Sequence, residues 1–377
     1  MLGGRLPSMN GTIVRTRAAV IERPTSNRLA TSYGEAPAMR PHTIVEVATG
    51  GGIRGLGEAS PLPEFTGETA GSVLHALNET YLPALIGRDA TGVVAVMADL
   101  ERLLPGNPSA RAAIDMALHD LAWRLLGVPT VTLLCGARRP AVRLARAVGI
   151  GPTADIVALA ERHVAAGFKT IKMKVGQDPR DDVARVTAVR RAIGPDICIR
   201  IDANQGYDPP TAVAVLRALD GCDLEYVEQP VPCWNHAGMA HVRRTAGVRV
   251  LADEAVHTPQ DALTLIRAEA ADLFAIKFVK TGGLARARQI AAIGEAAGID
   301  CVVISPFETQ IGAAAGLHMA LALPIGRHAH ELTVFATQPA MARTGIRLEE
   351  DRLLPAPGPG LGVESIAEME GARDTAP

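Results

Sequence analysis

The chain has 377 residues, 48% apolar and 21% charged, which is enough for a large core and too little charge for a disordered chain. Lys plus Arg number 38 and Asp plus Glu 40, a net charge of -2, and aromatics are 3%. Such a chain lacks the basic footprint of a nucleic-acid binder and the stacking platforms of a single-strand binder. The length suits two or three domains of about 150 residues, or one α/β barrel of about 250 residues with an accessory domain.

The five cysteines, Cys135, Cys198, Cys222, Cys233 and Cys301, are widely spaced and form no CxxC pair. Neither a disulfide framework nor a structural zinc site is expected, and free thiols in a reducing compartment are. The N-terminal residues carry no apolar core of a secretory signal. The most apolar long stretch, Ile311 to Gly326, is interrupted by His318 and Pro324 and falls short of the ~18 apolar residues of a membrane span. A soluble cytoplasmic protein with no membrane partner is expected.

Residues 10–65 read as strands and turns. A β-like run around Ile13–Ile21 ends at Pro24, Thr43–Ala48 alternates like a half-buried strand, and Gly50–Gly52 turns into a partner over Ile53–Gly57. The period then changes: Ser109–Trp123 places apolar residues three and four apart and is rich in Ala, which predicts a helix. Residues 1–135 are therefore assigned to a small α+β domain.

From about residue 141, short β-branched runs alternate with Ala/Arg-rich helical segments. The expected strands are Val142–Val148, Thr170–Val175, Ile197–Ile201, Leu224–Val227, Arg249–Ala252, Leu273–Ile276, Cys301–Ile304 and Arg327–Thr333. Repeated β/α units at about 25 residues each predict a (β/α)8 barrel, a modified TIM barrel, over residues 136–340. No Gly-rich dinucleotide turn, Walker loop or HExxH is present. Residues 341–377 contain the Pro/Gly-rich run Leu353–Val363 and are assigned to a segment that returns to the N-terminal domain.

Barrel active sites lie at the C-terminal ends of the strands. There the chain places Lys172-Met-Lys174, Asp202-Ala-Asn204, Glu228-Gln-Pro230, Asp253-Glu254, Lys277, Ser305-Pro-Phe-Glu308 and Glu331. Asp202, Glu228, Asp253 and Lys277 follow one another at intervals of 26, 25 and 24 residues. Each acid alone reads equally well as a helix cap or a turn residue. Three at one phase of the repeat, without His or Cys, predict a site for a hard divalent cation, Mg2+ first and Mn2+ as its substitute. Lys172 and Lys174 share one side of a strand, and Lys277 comes from the strand opposite. A neighbouring ammonium and a divalent cation both lower a lysine pKa toward that of a base. Lys169 and Lys280 are read as solvated charges outside the site. Two lysines flanking a carboxylate-bound cation suit removal of a proton α to a substrate carboxylate.

These residues resemble those of the muconate lactonizing enzyme subgroup of the enolase superfamily. The resemblance covers nearly the whole chain. It includes Gly57-Glu-Ala-Ser60, Ala113-Ile-Asp-Met-Ala-Leu-His-Asp-Leu121, the Lys-x-Lys motif, the three acids, Ile276-Lys277 and Pro359-Gly-Leu-Gly362. It implies Mg2+ on Asp202, Glu228 and Asp253, acid/base roles for Lys174 and Lys277, and Lys172 near the substrate carboxylate. It also implies that loops near residues 22–34 and 58–68 cap the barrel mouth and select the substrate. Asn204, Glu308 and Glu331 are the candidate substrate contacts.

The capping loop Gly57–Glu68 looks like that of dipeptide epimerases. Those enzymes carry Asp-x-Asp on strand eight, where this chain has Glu331-Leu-Thr333, closer to the cycloisomerases. Three reactions stay open: racemisation or epimerisation of amino-acid derivatives, muconate-type cycloisomerisation, and dehydration of a hydroxy or imino acid. The cycloisomerase reading would place a second substrate carboxylate near Arg28 or Arg40. A non-catalytic ligand-binding barrel is the remaining alternative, and self-association into a homo-oligomer is expected of such barrels. His257, Arg138 and Arg139 are read as surface groups, and His328 and His330 as candidate pocket residues. Thr281–Gly283 reads as a helix start, with approach of its N–H groups to a substrate carboxylate as the alternative.

Overall fold

The computed structural model describes residues 11–25, 29–132, 134, 136–305, 307–324, 326–332 and 342–366, with backbone only at 342, 343, 365 and 366. The N-terminal region contains the antiparallel sheet β1 (Ile13–Pro24), β2 (Met39–Thr49) and β3 (Arg54–Ala59), in the order β1-β2-β3. Helix α1 (Pro108–Leu126) crosses it and is buried from Ser109 to Trp123. A helix buried on all sides needs small residues, and its Ala-rich sequence supplies them. Contact is closest at Gly57, where a Cβ would lie 1.8 Å from the carbonyl oxygen of Ala113. Only glycine lets the strand approach that near.

The second region is a parallel sheet of seven strands: β4 (Arg146–Val148), β5 (Thr170–Lys174), β6 (Cys198–Asp202), β7 (Leu224–Glu228), β8 (Val250–Ala252), β9 (Leu273–Ile276) and β10 (Asp300–Val303). The main helices between and after them are α2 (Thr153–Ala165), α3 (Pro179–Ile193), α4 (Pro209–Ala218), α5 (His236–Ala246), α6 (Pro259–Arg267), α7 (Leu284–Ala297) and α8 (Gln310–Ala322). Several start signals are plain in the chain. Asp178, Asp208 and Thr258 cap α3, α4 and α6, each followed by proline at the first helical position.

Two expected strands differ from the sequence reading. Val142–Val148 divides: Val142–Arg143 pairs antiparallel with Arg352–Leu354, and only Arg146–Val148 joins the barrel. The division falls where Leu144 N–H donates to Asp351 O at 2.7 Å and Ala145 N–H donates to His330 O at 2.8 Å. The eighth strand contracts to parallel bridges at His330 and Glu331, which link Leu144 on one side and Ile304 on the other. These bridges join the two edges of the sheet. Immediately before them, Ala329 O accepts from Arg200, so a side chain claims a carbonyl that a longer strand would pair. Thr333 lies outside the described residues.

The N-terminal region and the barrel share a core: Ile44, Leu56, Ala112 and Met116 cluster with barrel residues. Carboxylates fasten the seam. Asp115 of α1 accepts from Leu284 N–H at 2.6 Å at the start of α7, beneath Gly283, which has φ +113°. Glu58 at the end of β3 accepts from Thr309 N–H (2.8 Å), Thr309 Oγ1 (2.6 Å) and Gly312 N–H (3.0 Å) at the start of α8. Asp120 accepts from Leu361 N–H at 2.7 Å, which ties the C-terminal segment to the same helix. Acids at helix N-termini meet unpaired donors and the positive end of the helix dipole.

Candidate active site

Asp202 ends β6 and Glu228 ends β7, paired in register across the parallel ladder. Asp253 follows β8 directly. Gln229 sets its position, since Gln229 Oε1 accepts from Asp253 N–H at 3.0 Å and from Ala255 N–H at 3.1 Å. Asn204 N–H donates to Asp202 Oδ1 at 2.9 Å. The strand-end turns thus orient the acids before any ligand is considered.

Lysines stand among these acids. Lys172 Nζ is buried 2.8 Å from Glu228 Oε2, 3.0 Å from Asp202 Oδ2 and 2.8 Å from Glu331 Oε2. Lys174 Nζ donates to Asp202 Oδ2 at 2.6 Å and to Asn204 Oδ1 at 2.9 Å. Lys277 Nζ pairs with Asp253 Oδ2 and lies 4.2 Å from the centroid of the Phe65 ring. Ammonium groups lie between the acids, so as they stand no three His, Cys, Asp or Glu side chains among the described residues converge on one point, and the acids would have to turn from their lysines to face a cation.

Lys280 corrects the sequence reading. It is buried rather than solvated, and its Nζ donates to Asp253 Oδ1 at 2.8 Å and to the Asp253 carbonyl. The short helix Phe278–Thr281 after β9 returns the third residue to the face of Lys277. That spacing was the available signal.

The electrostatics follow from burial and pairing. Burial pushes the Asp202 and Asp253 carboxyls up, but the neighbouring ammonium groups outweigh it and hold both below the usual range. Burial and the Asp202 charge push Glu228 up. Burial favours neutral Lys277, but Asp253, Glu228 and Glu254 outweigh it and hold the proton on. Glu254 is raised to about 7 by burial and by Asp253 and Asp202. Both Glu228 oxygens are buried, and although Lys172 Nζ lies 2.8 Å from Oε2, neither has a partner in hydrogen-bond geometry among the described residues.

These groups face a cavity of about 440 Å³ whose wall includes Lys172, Lys174, Lys277, Asn204 and Glu331, within the size range of small-ligand sites. Its other wall comes from the N-terminal region, through residues 29–40 and Leu62–Phe65. Tyr33 OH donates to Glu254 Oε1 at 2.7 Å, Gln205 Nε2 donates to Tyr33 OH at 2.6 Å, and Ser32 Oγ donates to Asn204 O at 2.8 Å. Tyr33 and Phe65 meet edge-on, 6.2 Å between centroids. Sequence reasoning located both loops but missed Tyr33, Phe65, Glu254 and Phe307 as individual wall or support residues.

Other expectations are corrected. Glu308 is not among the residues lining this cavity. It is buried at the seam beside Glu58, where burial and that neighbouring charge raise it to about 8. His328 and His330 are not in the lining either. His328 Nδ1 bonds to Glu225 at 2.6 Å, and His330 Nδ1 accepts from Val303 N–H at 3.0 Å. His257 is half-buried, and burial lowers it to about 4. Arg139 is half-buried and donates to Ala320 O at 2.6 Å and Leu323 O at 2.8 Å. The helix start after Gly283 is capped by Asp115. Arg28 lies outside the described residues.

Comparison with known proteins extends this geometry. Residues 15–135 match the mandelate racemase/muconate lactonizing enzyme N-terminal domain, and residues 155–369 match the enolase C-terminal domain-like family. The chain is 34% identical over 340 residues to an L-Ala-D/L-Glu epimerase of Bacillus subtilis, covering 88% of this chain and 91% of the relative. It is 36% identical over 358 residues to muconate cycloisomerase 1 of Rhodococcus opacus, covering 89% and 94%. A dipeptide epimerase from Enterococcus faecalis, solved with Mg and the dipeptide L-Leu-L-Tyr, superposes with a TM-score of 0.90 at 31% identity, covering 94% of this chain and 100% of that one. The protein belongs to the mandelate racemase/muconate lactonizing enzyme subgroup of the enolase superfamily.

Proposed function

We propose that this protein is a Mg2+-dependent isomerase that withdraws the proton α to the carboxylate of a small-molecule substrate, with Lys174 and Lys277 as its acid/base pair. One observation carries the reading. The two lysines come from opposite sides of the barrel, line one cavity, and are each paired with a different strand-end carboxylate. A carbon held between two such groups can lose a proton to one and receive a proton from the other, the requirement of racemisation or epimerisation. Cycloisomerisation, the activity named for the Rhodococcus relative, needs only one of them. It remains the second reading because the strand-eight acid here is a lone Glu331 followed by Leu and Thr.

Mg2+ suits the residues on chemical grounds. Asp202, Glu228 and Asp253 offer hard oxygen donors only, and the buried Glu228 oxygens have no partner in hydrogen-bond geometry among the described residues. Bound there, Mg2+ supplies positive charge for the carboxylate oxygens of a substrate losing its α-proton. Each acid that turns toward a cation stops holding the proton on its lysine. The burial of Lys277 then lowers its pKa. Phe65 lies over the Lys277 ammonium, and Tyr33 meets it edge-on. A homo-oligomer in the cytoplasm completes the reading. Among the described residues no helix is long and apolar enough to cross a membrane.

The test is incubation with Mg2+ in deuterated water against dipeptides, N-acylamino acids, proline derivatives and cis,cis-muconate. Deuterium at Cα with loss of optical activity supports racemisation, and lactone from muconate without exchange at Cα supports the second reading. Bound Mg2+ with no turnover of any compound in the panel counts against both.

A further inference from the structure

Two charged side chains of the cavity wall stand in opposite circumstances. Glu331 lies between two cations: Oε2 accepts from Lys172 Nζ at 2.8 Å, and Oε1, which has no hydrogen-bond donor among the described residues, lies 3.5 Å from Arg200 Nη1. Arg200 is fully buried inside the barrel. Its guanidinium donates to Glu225 Oε2 at 2.9 Å and to Ala329 O at 2.9 Å, and it lies 4.6 Å from the centroid of the Tyr226 ring. A substrate ammonium approaching Glu331 would have to compete with the Lys172 ammonium already seated on it.

Arg40 is the reverse case. It is half-buried in the same wall, and its Nε is buried without a hydrogen-bond partner among the described residues. Glu64 acts on it without forming an ion pair among the described residues. Glu64 and Glu35 also line the cavity, but both are exposed at its rim. The Arg40 guanidinium lies 3.8 Å from the centroid of the Phe307 ring. Phe307 has φ +95°, a conformation that is strained for a bulky residue and persists only where its surroundings enforce it. Stacking on the ring leaves the planar N–H edge of the guanidinium able to take a carboxylate.

We infer that Arg40 receives a second carboxylate of the substrate, and that the site selects a dianion without a free ammonium. The class comprises amino acids acylated by a dicarboxylic acid and unsaturated dicarboxylates. This inference rests on the proton-transfer function proposed above.

The experiment measures kcat/KM on the Mg2+-loaded protein for N-succinyl and N-acetyl forms of one amino acid, for a dipeptide with a free ammonium, and for cis,cis-muconate. The expected result is a preference for a dianion over the N-acetyl monoanion of roughly 10- to 100-fold, with the dipeptide lowest. Arg40→Met brings the dianion-to-monoanion ratio near one, and Arg40→Lys restores part of it. A preference for the dipeptide, or a ratio that survives Arg40→Met, overturns the inference and leaves proton transfer standing. Calorimetric titration of the same compounds separates the other failure. Arg40-dependent binding of a dianion without turnover supports this inference and overturns the proposed reaction, and absence of Arg40-dependent binding overturns the inference.

Discussion

Two sets of buried carboxylates in this protein differ in what satisfies them. At the seam, Glu58 and Asp115 accept from backbone N–H groups at the starts of α8 and α7. At the barrel mouth, Asp202, Glu228 and Asp253 face ammonium groups, and among the described residues neither Glu228 oxygen has a partner in hydrogen-bond geometry. Backbone donors cannot leave without unwinding a helix, so the seam acids serve only to join two regions. Ammonium groups sit on flexible stems and carry protons that can be given away. The same side-chain chemistry is therefore structural at the seam and reactive at the mouth, because its partners differ in mobility.

The largest effect that would test this contrast is at the lysines. Lys277→Met is expected to lower α-proton exchange by about 10²–10⁴-fold, while urea unfolding shows the fold intact. Retained exchange would remove Lys277 from the reaction. Next, Glu228→Gln is expected to abolish the rise in Tm that Mg2+ gives the native protein. That rise corresponds to about 2.7 kcal/mol at a hundred times the Kd, and Glu58→Gln is expected to keep it.

Glu58 itself sharpens the other half of the contrast. Burial pushes its carboxyl up, but the His42 and Thr309 bonds outweigh this and hold it at about 2. Its folded pKa lies below its unfolded value, so its contribution is complete above about pH 4.5 and is lost as the pH falls toward 2. Urea titrations should find roughly 3 kcal/mol lost across that window in the native protein and a flatter profile in Glu58→Gln.

The remaining effect has the opposite sign. Glu308, raised to about 8, keeps a proton in the fold that the unfolded chain releases above about pH 4.5. Stability conferred at low pH is therefore lost as the pH rises toward 8. Glu308→Gln is expected to stabilise the protein by roughly 4 kcal/mol at pH 8 and to match it at pH 4. Equal profiles would show that Glu308 is not held protonated.

Much of the mouth was legible before the fold. Lys172, Lys174, Asp202, Glu228, Asp253 and Lys277 are set by short-range rules: a strand alternates its side chains, and a β/α unit repeats at a nearly constant length. The first and eighth strands were misjudged because their ends are claimed by the C-terminal segment and, at Ala329 O, by Arg200, partners that no local pattern announces. Lys280 was missed because a single helical turn after β9 carries it back to Asp253.

The sequence alone determined the barrel class and the identity of the groups at its strand ends, since both follow from periodicities of a few residues to one β/α unit. Only the tertiary structure decided which acids are occupied. Glu58 meets Thr309 across 251 positions, Asp115 meets Leu284 across 169, and Glu331 meets Lys172 across 159. A carboxylate carries the same charge in all three places. Whether that charge is spent on a helix start, shared with a buried cation or left for a ligand depends on which distant donor packing brings within about 3 Å.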